Sequence, residues 1–135
     1  MKTIFMALFI FGTGLCTKAQ IGVVKDSVSI DGQHIDEEAS PPANVNFIKV
    51  CSRKMRYPAD ARRFGIEGTA LVECIVDRDG TLINMRSVGN VGGGCDEEAL
   101  RVMGVYAEKY RWLPAKAKGQ PVQQKITVPL KFKLA

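Results

Sequence analysis

The strongest constraint on this chain lies at its C-terminal end. From Lys125 to Leu134 the residues alternate. Ile126, Val128, Leu130, Phe132 and Leu134 are apolar, and Lys125, Thr127, Pro129, Lys131 and Lys133 fall between them. A period of two is that of a strand with one face in a core and the other toward water. Pro129 has no N–H to give to a ladder, which places the strand at a sheet edge. The lysines fit an edge too, since charge there deters uncontrolled pairing. Such a strand needs partner strands and a layer over its apolar face before it is stable.

The segments before it supply both. Asn46 to Met55 reads as a helix with Phe47, Ile48, Cys51 and Met55 on one face. Tyr57-Pro58 breaks it, because the residue before proline avoids helical angles. Pro58 then starts a short helix that continues from Ala59 to Phe64 and ends at Gly65. Gly68 to Asp77 reads as a strand with Ala70, Val72, Cys74 and Val76 on one face and Leu71 and Ile75 on the other, the pattern of a central strand. Asp77-Arg78-Asp79-Gly80 turns the chain, and Thr81 to Val88 returns as a hairpin partner. Gly89 to Gly94 is a crossing loop. Asp96 caps the next helix, whose buried stripe is Ala99, Val102, Met103, Tyr106 and Tyr110. Trp112-Leu113-Pro114 closes that helix, and Lys118-Gly119-Gln120-Pro121 turns the chain again.

The expected fold is α+β: a three-stranded mixed sheet with two main helices on one face. The first two strands pair antiparallel, and the last lies parallel to the second. The strand order is then second, first, third, with the third at an open edge.

Ahead of this domain, taken as residues 45–135, lie two segments of different character. Residues 1–19 begin with Met1-Lys2, run apolar from Ile4 to Leu15, and end in Thr17-Lys18-Ala19. That is the layout of a cleavable secretory signal peptide, and it implies an exported protein. An uncleaved anchor fits less well, since a span needs roughly 20 apolar residues and Lys18 ends this run early. A lipid-attachment site at Cys16 is disfavoured by the bulky Leu15. Residues 20–44 read as an acidic, solvated tether, with Asp36-Glu37-Glu38 and Ser40-Pro41-Pro42. Within it, Val28-Ser29-Ile30 and Gln33-His34-Ile35 flank Asp31-Gly32 as a small hairpin. The whole chain carries a net +5. Export makes nucleic acid an improbable partner for that charge and leaves anionic surfaces or acidic peptides.

The residues give little to an enzyme. The lone His34 lies in the tether, no serine sits in a nucleophile motif, and the carboxylates lie in turns, caps and the tether. Gly92-Gly93-Gly94 is not followed by the Gly-Lys-Ser/Thr of a phosphate loop. Asp96, Glu97 and Glu98 also put negative charge where a phosphate would sit. Without the leader three cysteines remain, Cys51, Cys74 and Cys95. One disulfide and one free thiol, or three buried thiols, are both open. A thiol-active role for Cys95 at a helix start is a weaker alternative, opposed by its acidic neighbours. No metal, cofactor or small-molecule substrate is expected.

The punctuation of residues 57–134 resembles the C-terminal domain family of TonB, the periplasmic energy transducer of Gram-negative outer-membrane transport. The resemblance is carried by Tyr57-Pro58 with Ala61-Arg62, Gly65-Ile66-Glu67-Gly68, Val76-Asp77-Arg78-Asp79-Gly80 and Gly92-Gly93-Gly94-Cys95-Asp96-Glu97-Glu98-Ala99-Leu100. Trp112-Leu113-Pro114-Ala115-Lys116, Gly119, Pro121-Val122 and Val128-Pro129-Leu130-Lys131-Phe132 complete it. The resemblance implies binding of an extended segment of an outer-membrane transporter or another envelope protein by strand addition. The partner-binding residues it implies are Gln124, Lys125, Ile126, Thr127, Val128, Leu130, Lys131 and Phe132 on the last strand. Tyr57 and Pro58 join them as a flank, although a helix break packed on the sheet is the reading preferred for those two. Lys125, Lys131 and Lys133 would favour an acidic segment. Self-association into a homodimer through the last strand is the alternative use of the same edge. The family's energy transducers carry a membrane anchor and a long proline-rich arm. Here about 25 residues separate leader and domain, a reach under roughly 90 Å even when extended.

Overall fold

The computed structural model describes residues 23–134. The readings of residues 1–22, signal peptide and Cys16 included, lie outside that range. The elements in chain order are β1 (Val24–Lys25), α1 (Phe47–Lys54), α2 (Ala59–Phe64), β2 (Gly68–Val76) and β3 (Leu82–Ser87). They continue with α3 (Cys95–Lys109), β4 (Ala115–Ala117), β5 (Gln120–Val122) and β6 (Gln124–Phe132).

The main sheet has the order β1-β6-β2-β3. Its centre is as expected: β2 pairs antiparallel with β3 and along its whole length with β6, from Gly68 opposite Phe132 to Val76 opposite Gln124. That leaves β3 and β6 parallel to one another on either side of β2. Among the described residues the sheet has four strands and not three, because β1 adds to the far side of β6 with Val24 opposite Thr127 and Lys25 opposite Ile126. The expected open edge is therefore only half open. A second, two-stranded sheet joins β4 and β5. Its turn has Lys118 and Gly119 both at positive φ (52° and 79°), the pattern of a tight two-residue hairpin. The sequence reading found that turn but not its strands.

The core follows the two periodicities. Ala70, Val72, Cys74 and Val76 on β2 and Ile126, Val128, Leu130 and Phe132 on β6 are buried on one face. They meet the α3 stripe of Ala99, Val102, Met103 and Tyr106. Each large side chain in this layer contributes about 1.5–3 kcal/mol of burial. Pro129 is buried too, so the second face of β6 is not uniformly wet. Asn46 accepts the Lys49 N–H and caps α1. Phe47 and Cys51 are buried as expected, but Ile48 is 47% exposed and leaves the predicted stripe. Phe47 sits edge-on to Tyr106 and Trp112, with ring centroids 4.8 and 5.4 Å apart, which ties α1 to α3 and to the chain beyond it. The last turn of α1 is held from α3: Glu98 accepts the Arg56 N–H (2.7 Å), and Arg101 donates to the Lys54 carbonyl (2.8 Å).

Two turns depend on glycine. Gly80 has φ +88°, and a Cβ there would lie 2.0 Å from the Trp112 carbonyl oxygen. Gly93 has φ +63°, with Ala61 and Ile66 within about 3 Å of the same hypothetical atom. Asp96 does not cap α3, as the sequence suggested. It lies in the first turn and accepts the N–H groups of Val91 and Gly92, so it fixes the crossing loop.

Within the segment read as a tether, residues 24–44 keep mostly exposed side chains but run against the domain. The Val28–His34 bridge closes the small hairpin as expected. Beyond it, Ile35 and Ala39 are buried. Glu37 bridges to Lys116 and Ser40 to Leu113.

Candidate functional site

A free sheet edge offers unpaired N–H and C=O groups in a row. On β6 their direction follows from one bond. The Asp26 N–H donates to the Lys125 carbonyl at 3.1 Å, so the Lys125 backbone points away from β2. Alternate residues of an antiparallel strand share a direction. Thr127, Pro129 and Lys131 therefore point outward as well. Thr127 is met by Val24. Pro129 and Lys131 lie beyond the end of β1 and have no strand opposite them among the described residues. The missing N–H of Pro129 thus falls on the outer edge and costs β6 no bond to β2.

The outward row runs along a groove of about 300 Å3 lined by Ile48, Ser52, Met55, Thr69, Pro129, Leu130 and Lys131. One wall is α1, held in place by Phe47 on its inner side, so the exposed Ile48 is turned toward this groove. Lys131 and Lys133 are exposed and make no ion pair among the described residues. Lys125 differs: its ammonium lies 3.9 Å from both Asp26 and Glu73.

The residues named from the sequence thus divide. Val128, Leu130, Lys131 and Phe132 form the uncovered half. Lys125, Ile126 and Thr127 are already paired on both sides. Gln124 is corrected outright as a contact residue. It is fully buried, its side-chain oxygen accepts the Ala39 N–H (2.8 Å) and its nitrogen donates to the Asp26 carbonyl (2.6 Å). The alternation was read only from Lys125 onward, so nothing in it showed that Gln124 faces inward. Tyr57 packs edge-on against Phe132 (5.8 Å), donates its hydroxyl to the Ile66 carbonyl, and carries Arg62 over its ring. Pro58 packs beside Gly94. Tyr57 thus packs against the end of β6 through Phe132, while Pro58 lies at the loop before α3. Ile48, Ser52 and Met55 were missed as groove residues. The exposed apolar Ile48 was the available signal, and it was absorbed into the core stripe.

Thiol chemistry finds no support here. Cys51, Cys74 and Cys95 are all buried and unbonded. Burial pushes the Cys51 and Cys74 thiols up to about 12. Burial also raises Cys95, with Asp96 and Glu97 adding to it. The thiolate is the nucleophile, so each of these shifts lowers reactivity.

The family model for the C-terminal region of the Gram-negative bacterial TonB protein matches residues 53–134. The chain belongs to this family. The match holds β6 entire, while β1 lies ahead of it. A TonB protein from Vibrio cholerae serotype O1 is 34% identical over 80 residues, 58% of this chain and 31% of the relative. The chain thus spans about a third of that relative's length. The solution structure of the Helicobacter pylori TonB C-terminal domain aligns with a TM-score of 0.44 and 26% identity. The alignment covers 62% of this chain and 86% of that one.

Proposed function

We propose that this domain binds an extended segment of an outer-membrane transporter, or of another envelope protein, by adding it as a strand along Val128–Phe132. Its role on this reading is in TonB-dependent transport across the Gram-negative envelope, from the periplasmic side. What supports it is that no strand among the described residues pairs with the outer side of β6 beyond Thr127, where the exposed Lys131 lies beside a partly apolar groove. Main-chain bonds to Lys131 and the Pro129 carbonyl supply affinity, and alternate side chains of the segment reach the groove or the lysines. Lys131 and Lys133 favour acidic residues in the partner. Their effect is greatest at low salt, since exposed charges are screened over about 10 Å at 0.1 M.

The test is an amide-resolved titration with a synthetic peptide copying the periplasm-facing N-terminal extension of an outer-membrane transporter from the same cell. Shifts should gather at Val128–Lys133 and at Ile48–Met55. Replacing Lys131→Pro removes the outward donor without touching the ladder to β2, and should weaken binding about three- to tenfold, the worth of one net hydrogen bond. Shifts confined to other surfaces would overturn the reading. A concentration-dependent dimer that ignores the peptide would favour self-association through the same edge.

A further inference from the structure

The half of β6 with no strand on its outer side among the described residues ends where the chain's own β1 begins, and β1 is an unusual strand. It is two residues long and lies ahead of the family match, and its Val24 is 63% exposed. It buries little, yet it sits on the outward groups of Lys125 and Thr127 that continue the free row of Pro129 and Lys131. Its fastening is mostly polar, with Val23 packed partly against the core. The Asp26 N–H reaches the Lys125 carbonyl, the Ile30 N–H reaches the Gln123 carbonyl (3.1 Å), and the Gln124 amide holds the Asp26 carbonyl. Lys25–Glu38 (3.5 Å) and Lys125–Asp26 (3.9 Å) are partly exposed pairs. Behind it the chain is tied down separately, at Ala39 by Gln124 and at Ser40 by two bonds with Leu113. Residues 23–30 can therefore leave the edge while the segment beyond stays attached.

We infer that β1 is a built-in occupant of the binding edge, a strand that a partner displaces. The inference rests on the reading of β6 as the binding edge. A partner strand starts on the free groups of Pro129 and Lys131. It then advances toward Gln124, and each backbone bond that β1 gives up is replaced by one from the partner. The exchange is close to neutral in bond count, so occupancy is set by how well β1 competes. Held on the same chain, β1 competes at a high effective concentration. Short or weak strands are rejected by this arrangement, and a longer strand that also uses the open half is accepted.

The experiment uses the chain and a synthetic peptide copying its residues 23–32, read by amide shifts at Lys125 and Thr127. Asp26→Pro removes the donor to Lys125 and leaves the core layer alone. This variant should bind the peptide at least tenfold more tightly than the unaltered chain. A second variant, Val24→Cys with Thr127→Cys, locks β1 in place. Hydrogen-bonded antiparallel pairs lie about 5.5 Å apart between Cα atoms, within disulfide reach. Oxidised, it should bind at least tenfold more weakly than the same protein reduced. Equal binding by the unaltered and Asp26→Pro chains, or indifference to the lock, or no binding by any form, would each overturn the inference. The transporter peptide on the same proteins separates the two readings. If it perturbs Val128–Phe132 equally in every form, the edge reading stands and the competition falls. If it never perturbs β6, the edge reading itself falls.

Discussion

The two halves of β6 share one inward face and differ in their outward one. At Ile126 and Thr127 the strand is paired with β2 on one side and with β1 on the other, and the Asp26 N–H extends that cover to Lys125. From Val128 to Phe132 it is paired, among the described residues, with β2 alone. Burial does not distinguish them, since Ile126 and Leu130 are both in the core. The difference is in the unused backbone groups. A strand can therefore be rigid and core-forming along its whole length while only part of it is available to a partner. Inward packing supplies the rigidity, and the length of the cover sets the available part.

The comparison is broken most severely from the inside. Phe132→Ala, in the open half, should cost about 3–5 kcal/mol, because Phe132 is buried and is the ring on which Tyr57 rests. Chemical denaturation would show it as a lower midpoint at unchanged slope. In the covered half, Gln124→Ala should cost about 1–3 kcal/mol, since it strands the Ala39 N–H and the Asp26 carbonyl. That variant should also release residues 23–30. A loss confined to global stability, with those amides still protected, would show that Gln124 only fills space.

Hydrogen exchange sharpens the contrast without a mutation. Amides of Val128 and Leu130, which face β2, should open only with the whole domain. The outward amide of Lys131 should exchange with an opening free energy of about 0 kcal/mol. Thr127, covered by β1, should fall between. Equal protection of Thr127 and Val128 would mean that the cover is as firm as the sheet.

The smallest effect is in the hairpin that follows β1. Hydrogen bonds from Ser29 and then Gln33 hold the Asp31 carboxyl below its usual value of 3.8. A depressed carboxylate stabilises above its unfolded pKa, and the contribution is lost as pH falls through the lowered one. The Ser29–Gln33 turn should therefore loosen only below about pH 4, with little change at neutral pH. An NMR pH titration at the Gln33 amide checks this, and a midpoint above 3.8 would contradict it.

Local patterns were legible. The alternation of Lys125–Leu134 specified β6, the break at Tyr57-Pro58 separated α1 from α2, and the glycines at 80 and 89–94 marked a turn and a crossing loop. Alternating apolar residues on both faces of Gly68–Val76 made it central, and the strand order around it followed. The misses share one cause. Residues 24–44 were judged by composition, and their few apolar side chains, Ile35 and Ala39 among them, carry no period. A strand of two residues has no period at all, so β1 could not be read. Ile48 fitted a helical stripe and was counted as core, although α1 is wide enough to bury one side and show the groove another.

The sequence by itself determined the main helices and the three long strands, most of the faces that they bury and the presence of an edge at β6, because each depends on neighbours a few residues away. Only the tertiary structure decided how much of that edge is open. The decision is made by contacts across nearly the whole chain: Asp26 with Lys125, Val24 with Thr127, and the amide of Gln124 that holds them. Such pairings depend on where two distant backbones meet, and a backbone hydrogen bond accepts any residue that arrives with the right geometry.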